Sequence, residues 1–96
     1  MRNYEIAYIA DSDLDDSSLT ELEDKVKGWV EASGGTISEV DRWGKRWLAY
    51  PINKKNDGFY FFVQAEMPPN APVEVERNLR LNEQILRFML TVQTAS

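Results

Sequence analysis

Tyr4 to Ile9 is the first apolar stretch, and its β-branched and aromatic side chains, closed by Asp11-Ser12-Asp13, predict a strand. With Glu5 on the wetter face, period-two alternation sends Ile6 and Tyr8 into the core. The period then changes. Leu19, Leu22, Val26, Trp29 and Val30 recur at i, i+3, i+7, i+10 and i+11, one face of an amphipathic helix. Ser18, with Glu21 three residues on, has the form of a capping box, and Gly34-Gly35 stops the helix. Thr36 to Leu48 reads as a long strand with Gly44 a bulge or bend inside it. Asn56-Asp57-Gly58 is a turn signal, followed by the strand Phe59-Tyr60-Phe61-Phe62-Val63. Pro68-Pro69 ends that strand. Asn70 is a candidate N-cap, Pro72 fits a helix start, and Val75 and Leu79 mark the buried stripe of the helix. Ile85 to Val92 returns as a strand.

The order β-α-β-β-α-β is the split βαβ pattern of an α+β, ferredoxin-like sandwich. It predicts a four-stranded antiparallel sheet with both helices on one face and the other face open to water or a partner. Ile6, Tyr8, Leu22, Val26, Val30, Ile37, Phe61, Leu79 and Phe88 are the expected core. Ninety-six residues suffice for one domain, residues 1–96, and for no large enclosed active site.

Composition narrows the chemistry. With no cysteine there are no disulfides, thiolate zinc sites, iron–sulfur clusters or cysteine nucleophiles, and with no histidine the commonest general base and metal ligand is missing. No stretch approaches the ~20 apolar residues of a membrane span. The Met1–Ile6 opening runs into Glu5 before any apolar signal region develops, so the cytoplasm is the expected location. Asp11-Ser12-Asp13-Leu14-Asp15-Asp16 imitates the start of a calcium loop, but Asp16 and Leu22 occupy the positions that require Gly and Glu. These acids suit a helix N-terminus better, and no metal or cofactor is expected. Glu21, Glu23 and Asp24 fall on the polar helix face, where nothing would tune a carboxylate for acid–base work. Phosphate-binding glycine loops and nucleophile elbows are missing too, so the chain does not read as an enzyme.

The net charge of −5 hides a segregation. Met1 to Asp24 holds eight acidic residues and one basic residue, Arg2, whereas Arg42 to Lys55 holds five basic residues and no acidic one. Such a patch can meet phosphate on an acidic protein, or it can be a solvated hairpin. Asp57-Gly58-Phe59-Tyr60-Phe61-Phe62 partly imitates the aromatic strand of an RNA-recognition motif, although Asp57, Tyr60 and Phe62 depart from it. Either alternate set of those aromatics could be core.

The most distinctive run is Arg42-Trp43-Gly44-Lys45-Arg46-Trp47-Leu48-Ala49-Tyr50-Pro51-Ile52, then Lys54-Lys55 and Gly58-Phe59-Tyr60. Together with the opening Met1-Arg2-Asn3-Tyr4-Glu5 and the closing Leu79-Arg80, Glu83, Ile85-Leu86-Arg87 and Met89, it closely resembles the bacterial small-subunit ribosomal protein S six family, along essentially the whole chain. Pro72 in the second helix and the bulk of Trp43 and Trp47 are departures. The resemblance implies a non-enzymatic constituent of the 30S subunit that binds the central domain of 16S rRNA together with ribosomal protein S eighteen. Arg2, Arg46, Lys54, Lys55, Arg80 and Arg87 match basic positions of the family motifs and are the candidate RNA contacts, with Arg42 and Lys45 of the same hairpin second. Trp43, Trp47 and Tyr50 are the candidate partner contacts, because large aromatics anchor interfaces. Alternation puts Trp43 and Trp47 on one face, which could equally be core. A stand-alone single-stranded RNA binder that stacks bases on sheet aromatics is the alternative function. A regulatory or metabolic ferredoxin-like domain would need a ligand cleft for which no motif asks.

Overall fold

The alternation in the first strand is realised along its whole length. In a computed structural model, which describes residues 1–52 and 54–93, the elements are β1 (Arg2–Asp11), α1 (Asp16–Ala32), β2 (Thr36–Ile52), β3 (Lys55–Met67), α2 (Ala71–Leu81) and β4 (Ile85–Gln93). Tyr4, Ile6, Tyr8 and Ala10 of β1 are all buried. They lie in register with Ala65, Val63, Phe61 and Phe59 of the antiparallel β3. Tyr8 and Phe61 stack with ring centroids 4.8 Å apart and planes 2° from parallel. The sheet order is β2-β3-β1-β4 with every neighbour antiparallel. Both helices cover the face carrying Tyr8 and Phe61: Leu19, Leu22, Val26 and Val30 from α1, and Ala71, Val75 and Leu79 from α2, complete the core.

Two expected core residues, Ile37 and Phe88, are only half-buried. They stand on β2 and β4, the two edges of the sheet, where the helices no longer cover the strands fully.

Helix α1 begins earlier than the Ser18-Glu21 pair suggests. Asp15 is the N-cap, and its Oδ1 accepts the Ser18 N–H at 2.8 Å. A carboxylate there satisfies an orphan donor and complements the helix dipole, which a serine hydroxyl does less strongly. The other end closes as expected: Gly34 N–H bonds to Glu31 O and Gly35 N–H to Val30 O, the paired bonds of a Schellman motif. At α2, Asn70 has helical backbone angles and makes no side-chain cap bond. Pro72 sits at the second helical position, where its missing N–H has no partner to lose.

The larger surprise is the length of the β2–β3 hairpin. Ile52 pairs with Lys55, and Lys54 between them takes the left-handed φ of 67°. Asn56-Asp57-Gly58 is therefore strand, and Gly58 serves a close approach: a Cβ there would lie 2.4 Å from the Ile9 side chain and 3.0 Å from Ala10 O. The β1–β3 ladder ends at Asp11–Gly58, so Trp47–Asp57 and all beyond it have no third strand. This projecting arm carries Lys54 and Lys55, and Arg42, Lys45 and Arg46 precede it on β2.

Candidate RNA and partner interface

A bulge decides how the arm presents its side chains. Arg42 pairs with Phe61 but Gly44 pairs with Tyr60, so β2 spends two residues on one step of β3. Gly44 accommodates this with φ 81°. Trp43, in the bulge, lies over Phe62 on the sheet face away from the helices, at 4.6 Å between centroids. Trp47 pairs with Asp57 and so falls on the parity of Phe59 and Phe61, the opposite side. Simple alternation, which puts both tryptophans on one face, is thus overturned by one extra residue. Neither is core: Trp43 is 50% exposed, Trp47 79% and Tyr50 56%.

Tyr50 bends over the open side. Its hydroxyl accepts a hydrogen bond from Nη1 of Arg87, a residue of the far edge strand β4, and the guanidinium lies 5.8 Å from its ring centroid. On the open face of β1, β3 and β4 runs an apolar groove of about 290 Å³, lined by Ala7, Ile9, Tyr60, Phe62 and Met89, with Glu5 and Arg87 also lining it. Glu5 Oε2 accepts from Gln64 Nε2 at 2.7 Å. The sequence pattern names none of Ala7, Ile9 and Met89 as a contact, although placing Ile6 and Tyr8 inside already sends Ala7 and Ile9 to this face.

The eight candidate cations are not one cluster. Arg42, Lys45, Arg46, Lys54 and Lys55 share the hairpin, and Arg87 joins it through Tyr50. Arg2 starts β1 at the opposite end of the ladder from Asp11, about 30 Å away at ~3.4 Å per residue. Arg80 is on α2, 3.9 Å from Glu76 and above the Phe88 ring. Arg46 Nε donates to Trp43 O at 3.4 Å and its guanidinium sits 5.5 Å from the Trp43 ring. Lys45 lies over Phe59. Lys54, at the tip, is exposed and makes no ion pair among the described residues.

Arg42 and Lys55 are engaged. Arg42 Nε donates to Glu23 Oε1 at 2.6 Å, its Nη2 reaches Thr20 Oγ1 at 3.4 Å, and its guanidinium lies over Phe61. Glu23, expected on the polar helix face, is only 9% exposed, and Lys27 Nζ approaches it at 3.2 Å. Burial alone would raise the Glu23 carboxyl, but hydrogen bonds from Arg42 and Lys27 outweigh it and hold the group below its ordinary value. Lys55 pairs with Asp13 and lies 3.5 Å from Asp11 Oδ1. The hydrogen bond to Asp13 raises the Lys55 ammonium, and the same bond lowers the Asp13 carboxyl. Asp11 and Asp13 therefore grip a lysine. Among the described residues no group of three or more acidic side chains is arranged to hold a metal ion.

The profile of the family described as Ribosomal protein S6 matches residues 3–92. The chain belongs to the ribosomal protein S6 family. It is 42% identical over 90 residues to small ribosomal subunit protein bS6 of Clostridium novyi, covering 94% of this chain and 95% of that protein. It is 41% identical over 92 residues to bS6 of Clostridioides difficile, covering 96% and 99%. The crystal structure of 30S ribosomal protein S6 from Thermotoga maritima superimposes with a TM-score of 0.91 at 28% identity, over 96% of this chain and 87% of that one. As a member of this family the chain is a structural protein of the small subunit in the cytoplasmic ribosome, not an enzyme. Its partners are rRNA and other ribosomal proteins. Among the described residues no helix is long and apolar enough to cross a membrane.

Proposed function

We propose that this chain binds the central domain of 16S rRNA together with ribosomal protein S eighteen, with arm cations meeting phosphate and the arm aromatics docking the protein. The observation that carries the reading is the division of the arm. Lys54 at its tip and Arg46 at its foot are exposed, while Trp43 over Phe62 and Tyr50 at Arg87 border an open apolar groove on one side. Exposed aromatics beside an apolar groove suit a protein interface. Arg87 at its border, Arg2 and Arg80 extend the RNA set along other parts of the surface.

Net charge argues for joint binding. At −5 the chain repels a polyanion at long range, and a basic partner docked on it would reverse the sign of the combined surface. The coupling must be reciprocal: RNA tightens the protein pair as much as the pair tightens RNA binding. Titrating a central-domain fragment with this chain, with the partner, and with both tests the proposal. Much tighter binding by the pair is expected. Affinity for the chain alone within about threefold of the pair, under ~1 kcal/mol, would reject it. That result would instead favour the stand-alone RNA binder, for which Tyr60 and Phe62 on the open face are the relevant observation. In that case a base would have to displace Trp43 to stack on Phe62.

A further inference from the structure

A two-stranded hairpin is marginal in water on its own, yet the arm continues past the last β1 residue, Asp11, on two pairs, Trp47–Asp57 and Ile52–Lys55, with a register shift between them. Something other than a third strand has to hold it. On the helix side the acidic stretch from β1 into α1 supplies two grips. Asp11 and Asp13, in the segment leaving β1, take Lys55, the residue that begins β3 just past the tip. Glu23 and Thr20 of α1 take Arg42 immediately before the bulge. On the open side Arg87 holds Tyr50.

We propose that Lys55 and Arg42 are positioning residues that clamp the basic arm to the acidic β1–α1 segment, leaving Lys54 and Arg46 as the arm's phosphate contacts. The charge segregation of the sequence is then an intramolecular device: the acidic segment orients the basic one. The assignment of Lys54 and Arg46 rests on the rRNA reading above; the clamp itself does not.

A lone exposed ion pair is worth little, and this clamp owes its effect to several properties. Lys55 faces two carboxylates, and its side chain and that of Asp11 are each more than two-thirds buried. Glu23 is nearly buried against Arg42. The Lys55 grip acts on a ribbon whose remaining order comes from its own ladder, so a modest interaction shifts its open fraction, while the Arg42 grip fixes the foot of the hairpin where β1 still backs β3.

The sign of one substitution separates a clamp from a mask. Removing carboxylates beside a nucleic-acid site lowers repulsion, so if Asp11 and Asp13 merely shield Lys55 from phosphate, the D11N/D13N variant binds RNA more tightly. If they orient the arm, it binds more weakly although it has lost negative charge. The experiment has two arms on the full chain. Without RNA, hydrogen exchange at Arg46, Trp47, Asp57 and Gly58 amides should quicken roughly three- to tenfold in K55A and in D11N/D13N. It should stay at the parent rate in K54A, recover in K55R, and rise in E23Q around the bulge. Against a 16S central-domain fragment with ribosomal protein S eighteen present, K54A should flatten the log–log salt slope by about one unit. K55A and D11N/D13N should lose affinity with the slope unchanged. Parent-like exchange in K55A, a lost slope unit in K55A, or tighter binding by D11N/D13N would each overturn the clamp. Should the parent fail to bind the fragment, the rRNA reading falls and the exchange arm still decides the clamp.

Discussion

Arg42 reaches from the outer strand β2 to Glu23 in the middle of α1, Nε to Oε1 at 2.6 Å, and so brings a carboxylate from the nominally polar helix face to the edge of the core. Its guanidinium also roofs Phe61, which stacks on Tyr8. Electrostatics and aromatic packing meet here.

The pair makes stability depend on pH in a definite direction. The Glu23 carboxyl is held below its ordinary 4.5, so the folded state releases its proton more readily than the unfolded chain. Its contribution is full above about pH 4.5 and is lost as pH falls through the folded value. E23Q should flatten the fall in denaturation midpoint between about pH 5 and pH 3 relative to the parent. At pH 7, E23A should cost about 1.5–3 kcal/mol, the range for hydrogen bonds to charged groups. An E23Q profile parallel to the parent's throughout would refute the assignment.

Beneath this pair the Tyr8 hydroxyl is buried with no hydrogen-bond partner among the described residues. Burial, with the nearby Glu23 charge, pushes its phenol well above the ordinary range. A buried hydroxyl without a partner costs free energy that its ring does not. Tyr8→Phe should therefore raise stability, by up to about 1 kcal/mol, as read from urea unfolding. A loss of stability would reveal a partner such as a buried water.

Leu79 is 1% exposed and completes the α2 stripe with Val75 and Ala71. Leu79→Ala should cost about 2–5 kcal/mol. An unchanged urea midpoint would mean that α2 is not seated on this core.

Two glycines should respond differently. Gly44 has open space around the position of a Cβ and needs only its left-handed φ, so Gly44→Ala should cost about 1–2 kcal/mol through backbone strain. At Gly58 the missing side chain lets β1 and β3 approach, and Gly58→Ala should cost more and loosen the Asp11–Gly58 end of the ladder. Equal effects in thermal unfolding would show that Gly58 has room the geometry denies.

Local chemistry determined much of this protein. Period-two and period-3.6 spacing, with proline and paired glycine as punctuation, already implied six elements in their order. Every core residue expected from β1 and α1 is buried, because those elements take their inner face from their own periodicity, whereas the unbroken aromatic run of β3 turns Phe61 inward through its register with Tyr8. The run from Arg42 to Ile52 carried the family resemblance through residue identity alone. What the sequence did not contain was anything dependent on a second segment. The hairpin outruns its apparent turn because Gly58 is needed against Ile9, a residue 49 positions earlier in the chain. Glu23 is buried because Arg42 comes to meet it. Trp43 and Trp47 part company because a bulge adds one residue to β2, and a period of two turns one residue into the opposite face. Side-chain periodicity is a property of one strand or helix and can be read from it; register, bulges and ion pairs are properties of two segments together, and only the folded chain brings those together.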